Sequence, residues 1–414
     1  MVFRLGLLLL MMGIVGNLLA QSDSTRIQQL EKRIEALEQQ LQQNELEKLK
    51  AEAEAAAKES NLRQEKRTFR DKSRALQALN PEISVASDAS GQYIMEENGF
   101  NEEARSGAHF RVAELQFQSA LDPFSSTKII LEFRPEEVEF AEAYLTWHRF
   151  LPNISLTAGK FRQQFGVVNR WHEHSLDQYD FPLALTTILG EEGLNQMGVS
   201  LDWLMPPVGR FAQYLTLQIT NGQNDHLFSG EAFSFPAGLL HYKLFREINA
   251  GNFLEIGLSG MWGTNHFAGF EEGEKIVEPT RHTRLAGADL TYRWEPVNRS
   301  KYRSLLWRSE FFYAQKELPE NAEIKAAGFY SYLEYRFARR WQAGVRYDYI
   351  QPFTENNSGE YLYQVVPYLT WWQSEWVRLR LQFNHLNGSW QSEANNTLRL
   401  QITWAIGPHK HERY

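Results

Sequence analysis

Arginines recur between apolar residues in the last runs of the chain. Arg378 and Arg380 alternate with Val377, Leu379 and Leu381, and Arg399 lies between Leu398 and Leu400. Arg346 (between Val345 and Tyr347), Arg336 (Tyr335 and Phe337), Arg308 (Trp307 and Ser309) and Arg293 (Tyr292 and Trp294) repeat the setting. Guanidinium groups hold carboxylates and phosphates through forked hydrogen bonds, so a row of them would make an anion-contact wall. Arg378, Arg380 and Arg399 have no carboxylate two residues away and are the preferred contacts; Arg162 and Arg170, at the start of a long loop, come next. A second reading competes with this one. Parity puts Glu142, Asp202, Asp289, Glu310, Glu334 and Asp348 on the same face, and Glu310, Glu334 and Asp348 stand two residues from Arg308, Arg336 and Arg346. The arginines would then neutralise internal carboxylates, and both readings stand at this level.

The elements that must position these groups are strands. Side chains alternate across a strand with period two, so each run has an oily face and a wet one. Candidate strands run over 82–95, 108–121, 126–134, 139–149, 154–162, 195–204, 211–221, 236–246, 252–263, 281–294, 302–316, 325–338, 341–350, 361–373, 376–386 and 396–407. The first is weak in pattern, and the second shifts phase before Leu115 and Phe117. Connections alternate between short turns, such as Leu151-Pro152-Asn153 and Asn249-Ala250-Gly251, and long loops over 163–194, 222–235 and 264–280. Short turns at one end and long loops at the other, with oily and wet faces, are the pattern of a closed barrel with lipid outside and water inside. Trp147, Trp203, Trp262, Trp294, Trp371, Trp376 and Trp404 lie near strand ends, as interfacial girdles require. An arginine on the lipid face at mid-membrane costs roughly 2–4 kcal/mol, so the arginines belong in the lumen.

The rest of the chain fits an exported protein. Residues 1–20 carry Arg4, an apolar stretch from Leu5 to Val15 and a break at Asn17, with Ala20 before Gln21 as a cleavage point. Residues 21–66 are rich in Glu, Gln, Lys, Ala and Leu. Ile27, Leu30, Ile34, Leu37 and Leu41 keep the 3-4 spacing of a coiled-coil seam, which goes out of step at Leu46. A narrow apolar stripe wants partner helices, so 24–66 reads as an oligomerisation helix. A basic linker, 67–81, ends at Asn80-Pro81, and the barrel fills 82–414. The fold class is therefore an all-β transmembrane barrel of sixteen antiparallel strands, preceded by a periplasmic α-helical coiled coil, in the outer membrane of a Gram-negative bacterium. Among 414 residues there is no cysteine, which excludes disulfides and thiolate metal sites, and a net charge of −8 gives no invitation to nucleic acid.

Other chemistry is weakly signalled. His172-Glu173-His174 would need further ligands that no local spacing supplies, so no metal or other cofactor is expected, and His409 and His411 in the tail are treated alike. His385 and Ser389 bracket Leu386-Asn387-Gly388 without a third orienting group, so no enzyme is read here.

Several segments carry a family likeness: "LNPEISV" at 79–85, "GKFRQQFGVVNR" at 159–170, "LGEEGLNQMGVSLDWLMP" at 189–206 and "ITWAIGPHKH" at 402–411. With the order signal, coiled coil and sixteen-stranded barrel, the chain resembles the phosphate-selective (OprO/OprP-type) porins and, more closely, the DcaP-like trimeric porins. The resemblance implies passive diffusion of small, often anionic solutes through each barrel of a homotrimer, and makes the loop after Arg162 the constriction. Its expected partners are outer-membrane lipid, two further copies of the chain through 24–66, and small anionic solutes such as phosphate or carboxylates. A closed barrel serving as adhesin or scaffold is the alternative.

Overall fold

The computed structural model describes residues 81–95, 106–224, 226–228, 235–266, 268–271, 274–389, 391 and 393–407. The expected export signal, coiled coil and linker up to residue 80, and the tail after 407, lie outside the described residues. The strands are β1 (Glu82–Ile94), β2 (Gly107–Ala120), β3 (Ser125–Phe133), β4 (Val138–Leu151), β5 (Ile154–Arg162), β6 (Asn195–Val208), β7 (Phe211–Thr220), β8 (Ala237–Asn249) and β9 (Asn252–Thr264). They continue as β10 (Ala268–Glu271), β11 (Glu274–Val277), β12 (His282–Trp294), β13 (Ser304–Glu317), β14 (Glu323–Ala338), β15 (Trp341–Ile350), β16 (Leu362–Trp372), β17 (Val377–Gly388) and β18 (Asn395–Ile406). One short helix, α1 (Leu183–Leu189), lies in the loop after β5.

All strands except the small β10–β11 hairpin join one closed barrel of 16 strands in chain order. Closure is made by β1 and β18, antiparallel from Val85 opposite Ile406 to Ile94 opposite Thr397. In hydrocarbon an unpaired strand edge leaves backbone groups unsatisfied, so this seam is what makes the sheet compatible with a bilayer. The small residues of β1 are the reason its pattern is faint. Ser84, Ala86, Asp88 and Ser90 on the inner face are all buried, and so is Ser87 on the other face. The expected strand over 195–204 runs on to Val208, and its register with β7 slips between Met205 and Val208, where Pro206 and Pro207 have no N–H to donate.

The faces sort as alternation requires. Along β17, Arg378, Arg380, Gln382 and Asn384 are buried, and Leu381 between them is 45% exposed on the outer surface. Trp147, Trp262 and Trp376 are exposed outward. Two bulges away from the short turns break the alternation. The β1–β2 register shifts between Asp88 and Ala89, skipping Arg111, which accounts for the phase change in β2. The β3–β4 register shifts between Ile130 and Leu131, skipping Ala141 and setting Glu142 opposite Ile130.

Leu381 stands at mid-strand on the outer face. Its change to arginine should cost roughly 2–4 kcal/mol of folding stability in lipid vesicles. Urea titration of folding into vesicles, read by heat-modifiable electrophoretic mobility, measures it; an unchanged midpoint would place this face away from hydrocarbon.

Candidate functional site

The loop after β5, residues 163–194, folds into the barrel. Its base is tied by Gln163 N–H to Leu194 O (2.9 Å), and Asn169 bridges the two arms through its amide to Gln163 O and Leu194 N–H. Gly166 (φ +62°) lets the first arm press on β13, since a Cβ there would stand 2.0 Å from Glu310 Oε2. The Val167 and Val168 N–H groups then donate to Glu310 Oε1 at 3.2 and 3.0 Å.

One side of the loop is apolar. Phe165, Val168, Trp171, Leu176, Leu185, Ile188 and Leu189 join a buried cluster with Leu285, Phe312, Ala314, Tyr330, Tyr332, Ile350 and Leu362 from the inner wall. Helix α1 packs against β13, β14 and β15. A helix of this length would not persist in water alone, so the apolar wall holds it. From the loop after β7, Leu227 and Phe228 pack into the same cluster, and His226 Nε2 reaches Thr187 O at 2.9 Å. The barrel interior is therefore a hydrophobic core along β12 to β16, which the expectation of a polar lumen did not contain.

The other side is polar, and arginines hold it. Arg378 donates to His174 O at 2.5 Å and Arg380 to Leu176 O at 3.1 Å. Arg308, 2% exposed, stacks 4.5 Å from the Trp171 ring, donates to Tyr332 Oη and lies 3.7 Å from Asp177. The Tyr179 ring is flanked by Arg111 at 4.3 Å and Arg399 at 5.0 Å, and the Tyr179 backbone N–H donates to Gln382 Oε1.

Asp180 is the centre of this network. Its carboxylate accepts from Arg346 Nη2 (3.1 Å), Gln382 (3.0 Å), Asn384 (2.8 Å) and Arg399 Nη1 (3.5 Å). Burial alone would raise its carboxyl, but Arg346 and Arg399, with the two amides, hold it down at about 2. Arg346, fully buried, also bonds Asp348 Oδ2 at 2.9 Å and Asp180 O at 2.8 Å.

Where the loop crosses β2, β3 and β4 it meets carboxylates. His172 Nδ1 lies 3.1 Å from Glu114 and 3.0 Å from Glu132, and its Nε2 lies 3.5 Å from Glu142. Burial pulls this imidazole down, but Glu114, with Glu132 and Glu142, raises it well above the usual histidine value.

The structure brings five of the nine arginines singled out in the sequence, Arg308, Arg346, Arg378, Arg380 and Arg399, onto the inner wall against the loop, while Arg293 lies 3.6 Å from Glu295. Arg162 donates to Glu192 O (3.0 Å) and Arg170 to Gln164 (2.6 Å), both within the loop. Arg336 stays at a turn, donating to Arg339 O at 3.3 Å. Two expectations are corrected. Arg399 does have a carboxylate, brought by Asp180 from the loop rather than from its own strand. Glu310, expected beside Arg308, instead accepts from loop amides and from Tyr330. Sequence reasoning missed Arg111, Asp180 and the Glu114–Glu132 pair, because their partners are set by barrel closure and by the loop path. The His385 and Ser389 side chains separate, His385 to Asn396 (2.8 Å) and Ser389 to the Tyr361 N–H (3.0 Å).

This closed barrel with an internal loop has the fold of outer-membrane porins. Similar solved structures include the anion-selective porin of Comamonas acidovorans (TM-score 0.52, 11% identity, covering 79% of this chain and 99% of that one). The outer membrane channel DcaP of Acinetobacter baumannii is comparable (TM-score 0.52, 10% identity, 79% and 97%). So is in-vitro folded OmpT, an outer membrane protein of Vibrio cholerae, in a trimer form (TM-score 0.52, 10% identity, 79% and 99%). A protein of Aquifex aeolicus described as uncharacterized is 26% identical over 330 residues, 73% of this chain and 69% of its own. No family model matches the chain.

Asp180→Ala should loosen the loop. It removes the acceptor of two arginines and two amides, roughly 2 kcal/mol of anchoring, or on the order of 30-fold faster exchange of the Tyr179 amide hydrogen. Because the Asp180 carboxyl is depressed in the folded state, its contribution is full above pH ~4 and fades as pH falls towards 2. Hydrogen-exchange mass spectrometry across pH 2–7 checks both; exchange insensitive to the substitution at neutral pH would show that Asp180 anchors nothing.

Proposed function

We propose that this protein is an outer-membrane pore for passive diffusion of small hydrophilic solutes, with a preference for anions such as phosphate or carboxylates. The observation that carries the reading is the loop 163–194 inside a closed barrel, framed along β13 to β18 by Arg308, Arg346, Arg378, Arg380 and Arg399. The loop narrows the lumen, and the guanidinium groups set a positive potential beside the narrowing. Charge lining and width together determine which ions pass. Asp180 sits between Arg346 and Arg399 with one guanidinium at each carboxylate oxygen, which supports a wall able to hold carboxylates. Arg162 and Arg170 extend the cationic lining at the loop base, and Arg336 lies at the turn end of the barrel. Below the loop, a cavity of about 300 Å³ is lined by Phe253, Glu255, Thr291, Arg293 and Arg308 and would serve as the vestibule on the short-turn side.

The reading extends to assembly. Residues 21–66 would join three copies through a periplasmic coiled coil, in line with the trimer form of one neighbour of this fold. Outer-membrane residence is supported by the barrel fold, and the expected export signal over residues 1–20 is consistent with it.

A closed barrel acting as adhesin or scaffold is the second reading. What favours it is the reach of the loop, whose side chains and carbonyls are bonded to most of the surrounding wall.

Planar-bilayer recordings under a salt gradient decide between them. The expected result is current steps in groups of three with an anion-selective reversal potential. Replacing Arg378, Arg380 and Arg399 together by alanine should lower the anion-to-cation permeability ratio roughly twofold or more. Cation preference would sink the arginine argument and keep the pore; silence from folded barrels would leave the scaffold.

A further inference from the structure

Three neighbouring strands each turn a glutamate to the same patch of lumen. Glu114 of β2 and Glu132 of β3 are direct cross-strand partners. The bulge at Ala141 brings Glu142 of β4 beside them. All three are almost fully buried, at 2, 4 and 4% exposure. Like charges set opposite one another across strands repel, so such a trio needs a cation in its midst.

The loop lays two imidazoles on the trio. His172 Nδ1 lies 3.1 Å from Glu114 Oε2 and 3.0 Å from Glu132 Oε1, and His174 Nδ1 lies 3.2 Å from the same Glu114 oxygen. Two of the carboxylates are oriented from behind: Glu132 Oε2 is held by Arg134 at 2.8 Å and Glu142 Oε2 by Lys128 at 3.5 Å. Their other oxygens converge on His172. Glu114 Oε2 lies at the middle of the group, within 3.2 Å of both imidazoles. Among the described residues, Glu114, Glu132 and His172 offer ligand atoms that all lie within 4.8 Å of one another.

We propose that this cluster is a divalent-cation site of the zinc class, with Glu114, Glu132 and His172 as ligands and His174 as the fourth donor. A tetrahedral centre with bonds of ~2.1 Å has edges of ~3.4 Å. Three of the six edges, at 3.0 to 3.2 Å, fall a few tenths short, and His174, 3.2 Å from Glu114 alone, would have to swing inward to complete the set. Mixed imidazole and carboxylate donors suit zinc-like ions better than calcium or magnesium, which prefer oxygen alone. Arg134 and Lys128 act as the outer partners that orient the ligating carboxylates. The ion would clip the loop to β2 and β3, across the β1–β18 closure from the arginine attachments on β15, β17 and β18. Local spacing in His172-Glu173-His174 gave no sign of such a site, because the carboxylates come from strands earlier in the chain.

Equilibrium dialysis of the metal-stripped, refolded full-length protein against zinc chloride, with zinc and protein quantified together, tests this independently of any pore activity. One zinc per chain is expected, with a rise in thermal midpoint on zinc addition. Glu114→Gln and His172→Gln keep side-chain size and polarity, and heat-modifiable mobility verifies that the barrel is intact. Each should weaken zinc binding roughly 30-fold or more and abolish the thermal shift. Replacing His409 and His411 by alanine should leave both unchanged. Non-saturable binding, saturable binding indifferent to His172→Gln, or binding lost only with His409 and His411 would overturn the proposal; the last would assign the ion to the tail.

Discussion

Everything inside this molecule depends on the hydrogen-bonded seam between β1 and β18. Inside a bilayer no water is available to satisfy a strand edge, so a sheet is tolerated only when its two ends meet. Once they meet, the position of every inward residue is fixed by register. Arg399 on the last strand lies opposite Gln92 on the first, and the two side chains bond at 3.4 Å. The charged arc of the lumen thus spans the closure itself, from β15 through β18 and β1 to β4, and joins residues from both ends of the sequence.

The loop after β5 meets two different inner surfaces with two different kinds of attachment. Against β12 to β16 it buries Phe165, Leu185, Ile188 and Leu189 among Phe312, Ile350 and Leu362. Against β17, β18 and β1 to β4 it offers carbonyls, Asp180, Glu173 and the two histidines. Non-directional burial supplies bulk adhesion, and charge-assisted bonds set the exact path. The loop thereby becomes the core that a hollow barrel would otherwise lack, while polar groups remain along one arc of the wall.

The strands were legible in the sequence because lipid on one side and polar groups on the other impose a period of two, which survives even where average hydropathy is below zero. The long-loop and short-turn alternation was legible for the same reason, since only one end of the barrel carries long excursions. The bulges at Arg111 and Ala141 were not: each adds one residue without any change in composition, and the first showed only as a phase shift. The partners of the arginines were hidden more deeply. Looking two residues along a strand found Asp348 for Arg346 but could not find Asp180, which reaches Arg346, Gln382, Asn384 and Arg399 from the loop. The inward apolar residues Phe312, Ala314 and Ile350 depart from a polar lumen because helix α1 lies on them, and nothing local in β13 or β15 announces that helix.

The loop's bonds also order events in time. Asp180 and Arg399 are separated by 219 residues, and His174 and Arg378 by 204. Loop closure over such spans is entropically expensive until the intervening chain is ordered. The strands between them must therefore pair first, and the loop can settle only into a barrel that is already nearly shut. The nascent cylinder consequently passes through a stage in which its arginines and glutamates are wet and unmatched, and docking of residues 163–194 is the late step that converts an open tube into its finished interior.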